Sequence, residues 1–205
     1  MQGLYRLKPW FTGRLDAGVR LAVARGTSPD VFTALGVVSA ALAGVALALG
    51  WWPLALVLLV GRLAGANLDG AVARARGVSR PWGFVLNELG DRSGDLLAFA
   101  GLAVLAARVG DDADLVWVLV ACVAATLPTF VSLAAAGAGA LRQNGGPLGK
   151  TERCLLLVVA CALPGLLPVW CGVLVAGSLL TAALRARRAH EALRPSADAT
   201  AADVA

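Results

Sequence analysis

The chain has 205 residues, 59% of them hydrophobic, with 15% charged and a mean hydropathy of +0.76, where a soluble domain carries roughly 25% charged residues. This composition excludes an ordinary soluble domain and predicts an integral membrane protein folded as one bundle. The net charge of +5 excludes a nucleic-acid-binding surface, because the basic residues fall between apolar runs and not along one face.

Residues 1–26 mix Trp10, Phe11, Leu15, Val19, Leu21 and Val23 with Arg6, Lys8, Arg14, Arg20 and Arg25. Leu15, Val19 and Val23 recur every four residues, which predicts a basic amphipathic helix lying in the headgroup layer. No clean apolar core precedes Arg14 and Arg20, so no cleavable signal peptide is expected. Thr27-Ser28-Pro29-Asp30 reads as a helix start, with Pro29 in the first turn and Ser28 or Thr27 as cap. Residues 31–50 are almost wholly apolar and long enough to cross about 30 Å of hydrocarbon. Trp51-Trp52-Pro53 is expected to turn at headgroup depth. A second span runs over about 54–76, with Gly61 and Gly65 on one face permitting close helix approach.

The segment 77–81 breaks the helix, and a third span follows over about 82–108. An acidic loop, Gly110-Asp111-Asp112-Ala113-Asp114, leads to a fourth span over about 115–136. A Gly-rich basic loop over 137–153 precedes a fifth span from about 154 to 167, and a sixth covers about 169–184. The fold class expected is therefore all-α integral membrane: six transmembrane helices over 27–190, the amphipathic interfacial helix over 1–26, and a disordered tail over 191–205. Cys122, Cys154, Cys161 and Cys171 lack metal-ligand spacing and read as small buried hydrophobes. His190 lies in a basic stretch and is given no catalytic role.

Nearly all Arg and Lys fall at the N-terminus, at 74–80, at 142–153 and near the C-terminus, while the turns at 50–53 and 164–170 hold none. This alternation predicts a multi-pass protein of the cell membrane with both termini on the cytoplasmic side. It also puts the 69–95 segment and the 142–153 loop on that same side.

That segment carries Asp69, Glu88, Asp91 and Asp95 inside otherwise apolar sequence. A carboxylate at the centre of a membrane helix costs about 2.5 to 3.5 kcal/mol, against about 0.3 to 0.6 kcal/mol gained per large apolar residue. Such groups are tolerable near the water boundary, facing inward and paired with cations. Asp91 and Asp95 are four apart and share a helix face with Asn87. Asp69 could meet them across the helix pair, and three acidic oxygen donors suit Mg²⁺ or Mn²⁺. Gly70 and Ala73 leave room for a bulky ligand, and Arg74 is placed to meet a phosphate. The alternative is a structural ion-pair knot between the second and third spans.

The sequence LDGAVAR followed by GDRSGD resembles the signature of the CDP-alcohol phosphotransferase family of membrane enzymes. That signature reads Asp, two residues, Asp-Gly, two residues, Ala-Arg, a spacer, Gly, three residues, Asp, three residues, Asp. Asp69, Gly70, Ala73, Arg74, Asp91 and Asp95 match it, and SPDVFTALG and GPLGKTER are family-like as well. Two positions depart: Ala66 stands where the first Asp belongs, and Asn87 where the second Gly belongs. The spacer after Arg74 is also longer than usual.

The resemblance implies transfer of a phosphatidyl group from a CDP-linked lipid such as CDP-diacylglycerol to a small alcohol acceptor, releasing CMP, in phospholipid biosynthesis. It implies metal on Asp69, Asp91 and Asp95, with Asp95 also the general base. It further implies CDP contacts from Gly70, Ala73 and Arg74, and it is consistent with a homodimer. Asn87 is an auxiliary ligand candidate; Lys150 and Arg153 are acceptor-binding candidates. The alternative is a degenerate member that binds CDP-lipid or a partner without catalysis, which the loss at Ala66 motivates. A transporter is disfavoured because the polar residues crowd one membrane edge and no second interrupted helix mirrors the first.

Overall fold

The computed structural model describes residues 8–194, and within them every regular element is helical. The expectations for residues 1–7 and for the tail from 195 lie outside the described residues. The elements are α1 (Lys8–Arg14), α2 (Asp16–Ala24), α3 (Pro29–Ala48), α4 (Trp52–Ala75), α5 (Pro81–Val109), α6 (Asp112–Gly137), α7 (Lys150–Ala162) and α8 (Leu167–Ala192), with a 3₁₀ turn over Pro164–Leu166 before α8.

Proline opens several of these helices, because its missing N–H is wasted nowhere else so cheaply. Pro29, Pro53 and Pro81 stand in the first turns of α3, α4 and α5. Ser28 occupies the cap position of α3 but its side chain makes no capping bond, contrary to expectation. The acidic loop is shorter than expected: Asp112 and Asp114 are already in the first turn of α6, where Asp111 and Asp114 cap each other's backbone. Carboxylates suit that end of a helix, where the unpaired N–H groups gather.

The expected single N-terminal helix is divided after Arg14. Leu15, at the cap of α2, and Val19 and Ala22 within it turn inward, while Val23 is exposed. The inward face is thus rotated from the one expected, and Gly18 rests against Leu68 of α4.

Helices α3 to α8 form the bundle. The first three pack as α4 and α5 on either side of α3, α6 lies along α8, and α7 touches both α4 and α5. Glycine sets the closest approaches. A Cβ at Gly101 would fall 2.0 Å from the carbonyl oxygen of Gly44, and one at Gly65 would fall 2.7 Å from that of Phe32. The Gly61/Gly65 face therefore does bring two helices together, with α3 as the partner. Below the polar end, Leu47, Leu59, Leu102, Leu157, Leu167 and Leu174 form the core, joined by Cys154, Cys161 and Cys171. All four cysteines are free thiols.

Among the described residues, four stretches are long and apolar enough to cross a membrane: Pro29–Ala48, Trp52–Ala75, Asp112–Gly137 and Pro164–Ala192. The other two expected spans differ for physical reasons. Helix α5 has 29 residues but carries Glu88, Asp91, Arg92 and Asp95 in its first half. Helix α7 begins inside the basic loop, at Lys150, and has only 13 residues. Helix α8 continues beyond the sixth span to Ala192 and takes in Arg185, Arg187, Arg188 and His190.

Candidate active site

The starts of α3, α5 and α7 and the ends of α4 and α8 meet at one end of the bundle. Arg76 of the α4–α5 turn donates to the Thr27 carbonyl at 2.7 Å, and Arg80 pairs with Asp30. Arg185 of α8 donates to the carbonyls of Gly145 at 3.0 Å and Pro128 at 2.8 Å, which ties down the Gly-rich loop. Asp69 to Asp95 and the 142–153 loop thus share this end, as the charge alternation requires.

Asp69 is buried near the end of α4. One carboxylate oxygen accepts from Thr33 Oγ1 at 2.9 Å and Asn87 Nδ2 at 2.5 Å, and the other accepts the Gly70 N–H at 2.5 Å. Asp91 holds the Lys150 ammonium, with Nζ 2.7 Å from each carboxylate oxygen. Asp95, one turn further into the bundle, sits among three guanidinium groups: Arg62 at 2.7 Å, Arg92 at 2.8 Å and Arg153 at 2.7 Å. Gly94 permits this, since a Cβ there would stand 2.5 Å from Arg62 Nε. Glu88 pairs with Arg142, whose guanidinium lies over the Phe84 ring.

Two cavities adjoin these groups. The smaller, about 10 Å³, is lined by Thr33, Arg62, Ala66, Asp69, Asn87 and Asp91 among others, and has room for about one water. The larger, about 630 Å³, falls in the range of ligand sites. Its wall carries Arg14, Arg92, Arg142, Lys150, Arg153 and Arg185, and its apolar side is made by Trp10, Phe11, Val60, Leu63 and Leu148. Arg92 Nε and Nη1 and Arg153 Nε are buried without a hydrogen-bond partner among the described residues.

The structure therefore brings Asp69, Asn87 and Asp91 around one small cavity, and Lys150 and Arg153 onto the wall of the larger one. Asp95 is turned to the arginines instead. Gly70, Ala73 and Arg74 lie at the end of α4 and line neither cavity, and Arg74 folds back over Gly70. Asn67 bonds the Leu63 carbonyl of its own helix at 2.6 Å. Thr33, Arg62 and Arg92 are contacts that the sequence assigns no role, and Arg153, expected as an acceptor-binding candidate, instead pairs with Asp95. Arg62 had a visible signal, a cation midway along an otherwise apolar span.

The three carboxylates on which Mg²⁺ or Mn²⁺ is expected are not assembled around one point, because Asp95 lies off the small cavity, among the arginines. Among the described residues, no group of three or more His, Cys, Asp or Glu side chains is arranged to hold a metal ion. Asp69 and Asp91 are the two carboxylates on the small cavity, each holds partners from the chain, and Arg62 adds a positive charge to the same wall.

These features define a helical membrane protein with a cationic, partly apolar cavity at one end of its bundle. Residues 26–186 match the CDP-alcohol phosphatidyltransferase family, and the chain belongs to it. It is 31% identical over 150 residues to phosphatidylinositol phosphate synthase of Mycolicibacterium smegmatis, covering 72% of this chain and 67% of that protein. It is also 31% identical over 189 residues to an uncharacterised protein of Aquifex aeolicus, covering 92% and 95%. The crystal structure of Mycobacterium tuberculosis phosphatidylinositol phosphate synthase with CDP-DAG bound shares the fold, with a TM-score of 0.74 at 24% identity over 87% of this chain and 96% of that one. The same synthase in complex with manganese and citrate aligns with a TM-score of 0.73 at 24% identity, over 87% of this chain and 91% of that one.

Proposed function

We propose that the protein is a membrane transferase that moves a phosphatidyl group from a CDP-linked lipid, such as CDP-diacylglycerol, to a small alcohol acceptor and releases CMP. One observation carries this reading beyond family membership. Arg62, Arg92 and Arg153 surround the single carboxylate of Asp95, and two of them face the large cavity. Buried cations left over from pairing are costly unless an anion arrives to neutralise them. A diphosphate meets that requirement, and the apolar side of the cavity suits the lipid portion.

The second half of the family signature can also be laid on Gly83, Asn87 and Asp91, one helical turn before its first placement. That removes the excess length of the spacer and puts Asn87 in place of an Asp. It also aligns the signature with the residues that gather around Asp69. In this register Asp91 is the general base, and Asp95 is the group that holds the arginine cluster. Arg92, Arg142, Lys150 and Arg185 neutralise the diphosphate. Lys150 passes from Asp91 to a phosphate oxygen as the lipid binds. Asp91 then takes the proton of the acceptor hydroxyl while its oxygen bonds to the lipid-side phosphorus and the bond from that phosphorus to the CMP oxygen breaks. Gly70, Ala73 and Arg74 remain the CDP-contact candidates that the family signature implies.

In this reading both termini and the site lie on the cytoplasmic side, α1–α2 lies along the interface, and α3 to α8 make six membrane-embedded helices. A second reading, binding of CDP-lipid without turnover, is favoured by the satisfied state of Asp69 and Asp91. The two part in a CMP-release assay with CDP-diacylglycerol and a panel of glycerol 3-phosphate, inositol phosphate, inositol and serine. CMP released with one acceptor supports transfer. Bound CDP-lipid with no CMP from any acceptor refutes it.

A further inference from the structure

Three features of the site oppose a divalent cation and favour an anion. First, the two positions that would complete a carboxylate set around Asp69 and Asp91 hold Ala66 and Asn87, both on the small cavity, and Asn87 presents its amide N–H to Asp69. Second, Lys150 Nζ stands 2.7 Å from both oxygens of Asp91, in the straddling position an ion held by that carboxylate would occupy. Third, Lys150 is the first residue of α7, so the positive end of that helix adds to its charge. Six cationic side chains, against Glu88, Asp91 and Glu152, line the adjoining cavity. A divalent ion enters against that field, and a diphosphate enters with it.

We propose that Lys150 is the resident cation of this site, standing on Asp91 in place of a divalent ion, so that the CDP-linked lipid binds without one. The identity of that ligand rests on the transferase reading; the role of Lys150 does not. The ammonium is a compact charge on a flexible stem, able to shift between a carboxylate and a phosphate oxygen. It neutralises one charge where a divalent ion neutralises two, and the neighbouring arginines supply the remainder.

The test uses the full-length chain in phosphatidylcholine nanodiscs. Uptake of Mn²⁺ is read from loss of the free-ion EPR signal, and binding of CDP-diacylglycerol from protection against thermal unfolding in EDTA or in Mn²⁺. The wild type is expected to take up no more Mn²⁺ than empty discs, with lipid affinity equal in both media. Asn87→Asp, and more strongly Ala66→Asp with Asn87→Asp, should acquire a Mn²⁺ site whose affinity rises at least about tenfold with the second carboxylate. Lys150→Met should weaken lipid binding in EDTA about tenfold, a loss of about 1.4 kcal/mol. One Mn²⁺ bound per wild-type chain and lost in Asp91→Asn would overturn the proposal, as would lipid binding that requires Mn²⁺. Folded acidic variants that gain no Mn²⁺ would also overturn it. Absence of lipid binding in both media would refute the transferase reading instead, and the EPR measurement would still decide the role of Lys150.

Discussion

Asp95→Asn separates a structural carboxylate from a catalytic one. The Asp95 side chain is 7% exposed, and its partners Arg62 and Arg153 are 2% and 3% exposed. Asparagine keeps the shape and one oxygen acceptor, so the change removes little besides charge. Breaking a buried ion pair by removing one partner costs about 3 to 5 kcal/mol, because the other charge stays buried and unpaired. In a chain of this size each kcal/mol lowers Tm by about 2 to 4 °C, so the drop should be about 6 to 20 °C. A thiol-reactive dye is a direct probe, because Cys154 is buried and its sulfur accepts a bond from Arg62 at 3.3 Å. The dye should label Cys154 at a correspondingly lower temperature in the variant. A Tm within about 2 °C of wild type together with lost turnover would assign Asp95 to the chemistry and refute the structural role.

Asp91→Asn should lower CMP release by at least about 100-fold, the scale of a general base, with a much smaller change in Tm because Lys150 stays partly hydrated. Arg92→Gln should weaken CDP-diacylglycerol binding about tenfold, read by the same thermal protection. Gly101→Val should cost at least about 1 to 3 kcal/mol, since its Cβ would meet the Gly44 backbone and no rotamer relieves that contact, and lowered Tm and yield would report it. Arg185→Ala removes one charged hydrogen bond to the Gly-rich loop, at Gly145, and one to α6, at Pro128, and should speed protease cleavage within residues 138–149. Cysteines placed at 111 and 144 should label from opposite sides of the membrane; labelling from one side would refute the six-helix topology.

The bundle was legible in the sequence because apolar runs, helix-opening prolines and charge alternation are local signals. The short α7 was harder to bound, because its first turn is polar and extends into a Gly-rich loop. The neighbourhood of the site was legible too, since carboxylates in apolar sequence demand compensation. Their individual partners were not. Asp91 and Asp95 share a helix face, yet one turn of depth gives the first to an ammonium and the second to three guanidiniums. Spacing fixes a face but not which distant side chain reaches it, and Thr33, Arg62 and Arg153 come from three other helices.

The contacts around Asp95 also constrain how the protein is made. Arg62 leaves the ribosome before its carboxylate at 95, and Arg153 follows much later, after α6. Until α7 is delivered, Asp91 lacks the Lys150 ammonium and Asp95 lacks its third guanidinium, and the last contacts of the bundle cannot form. A chain that stops short of residue 150 would leave Asp91 without its ammonium, a mark by which quality-control proteases could tell unfinished copies from finished ones.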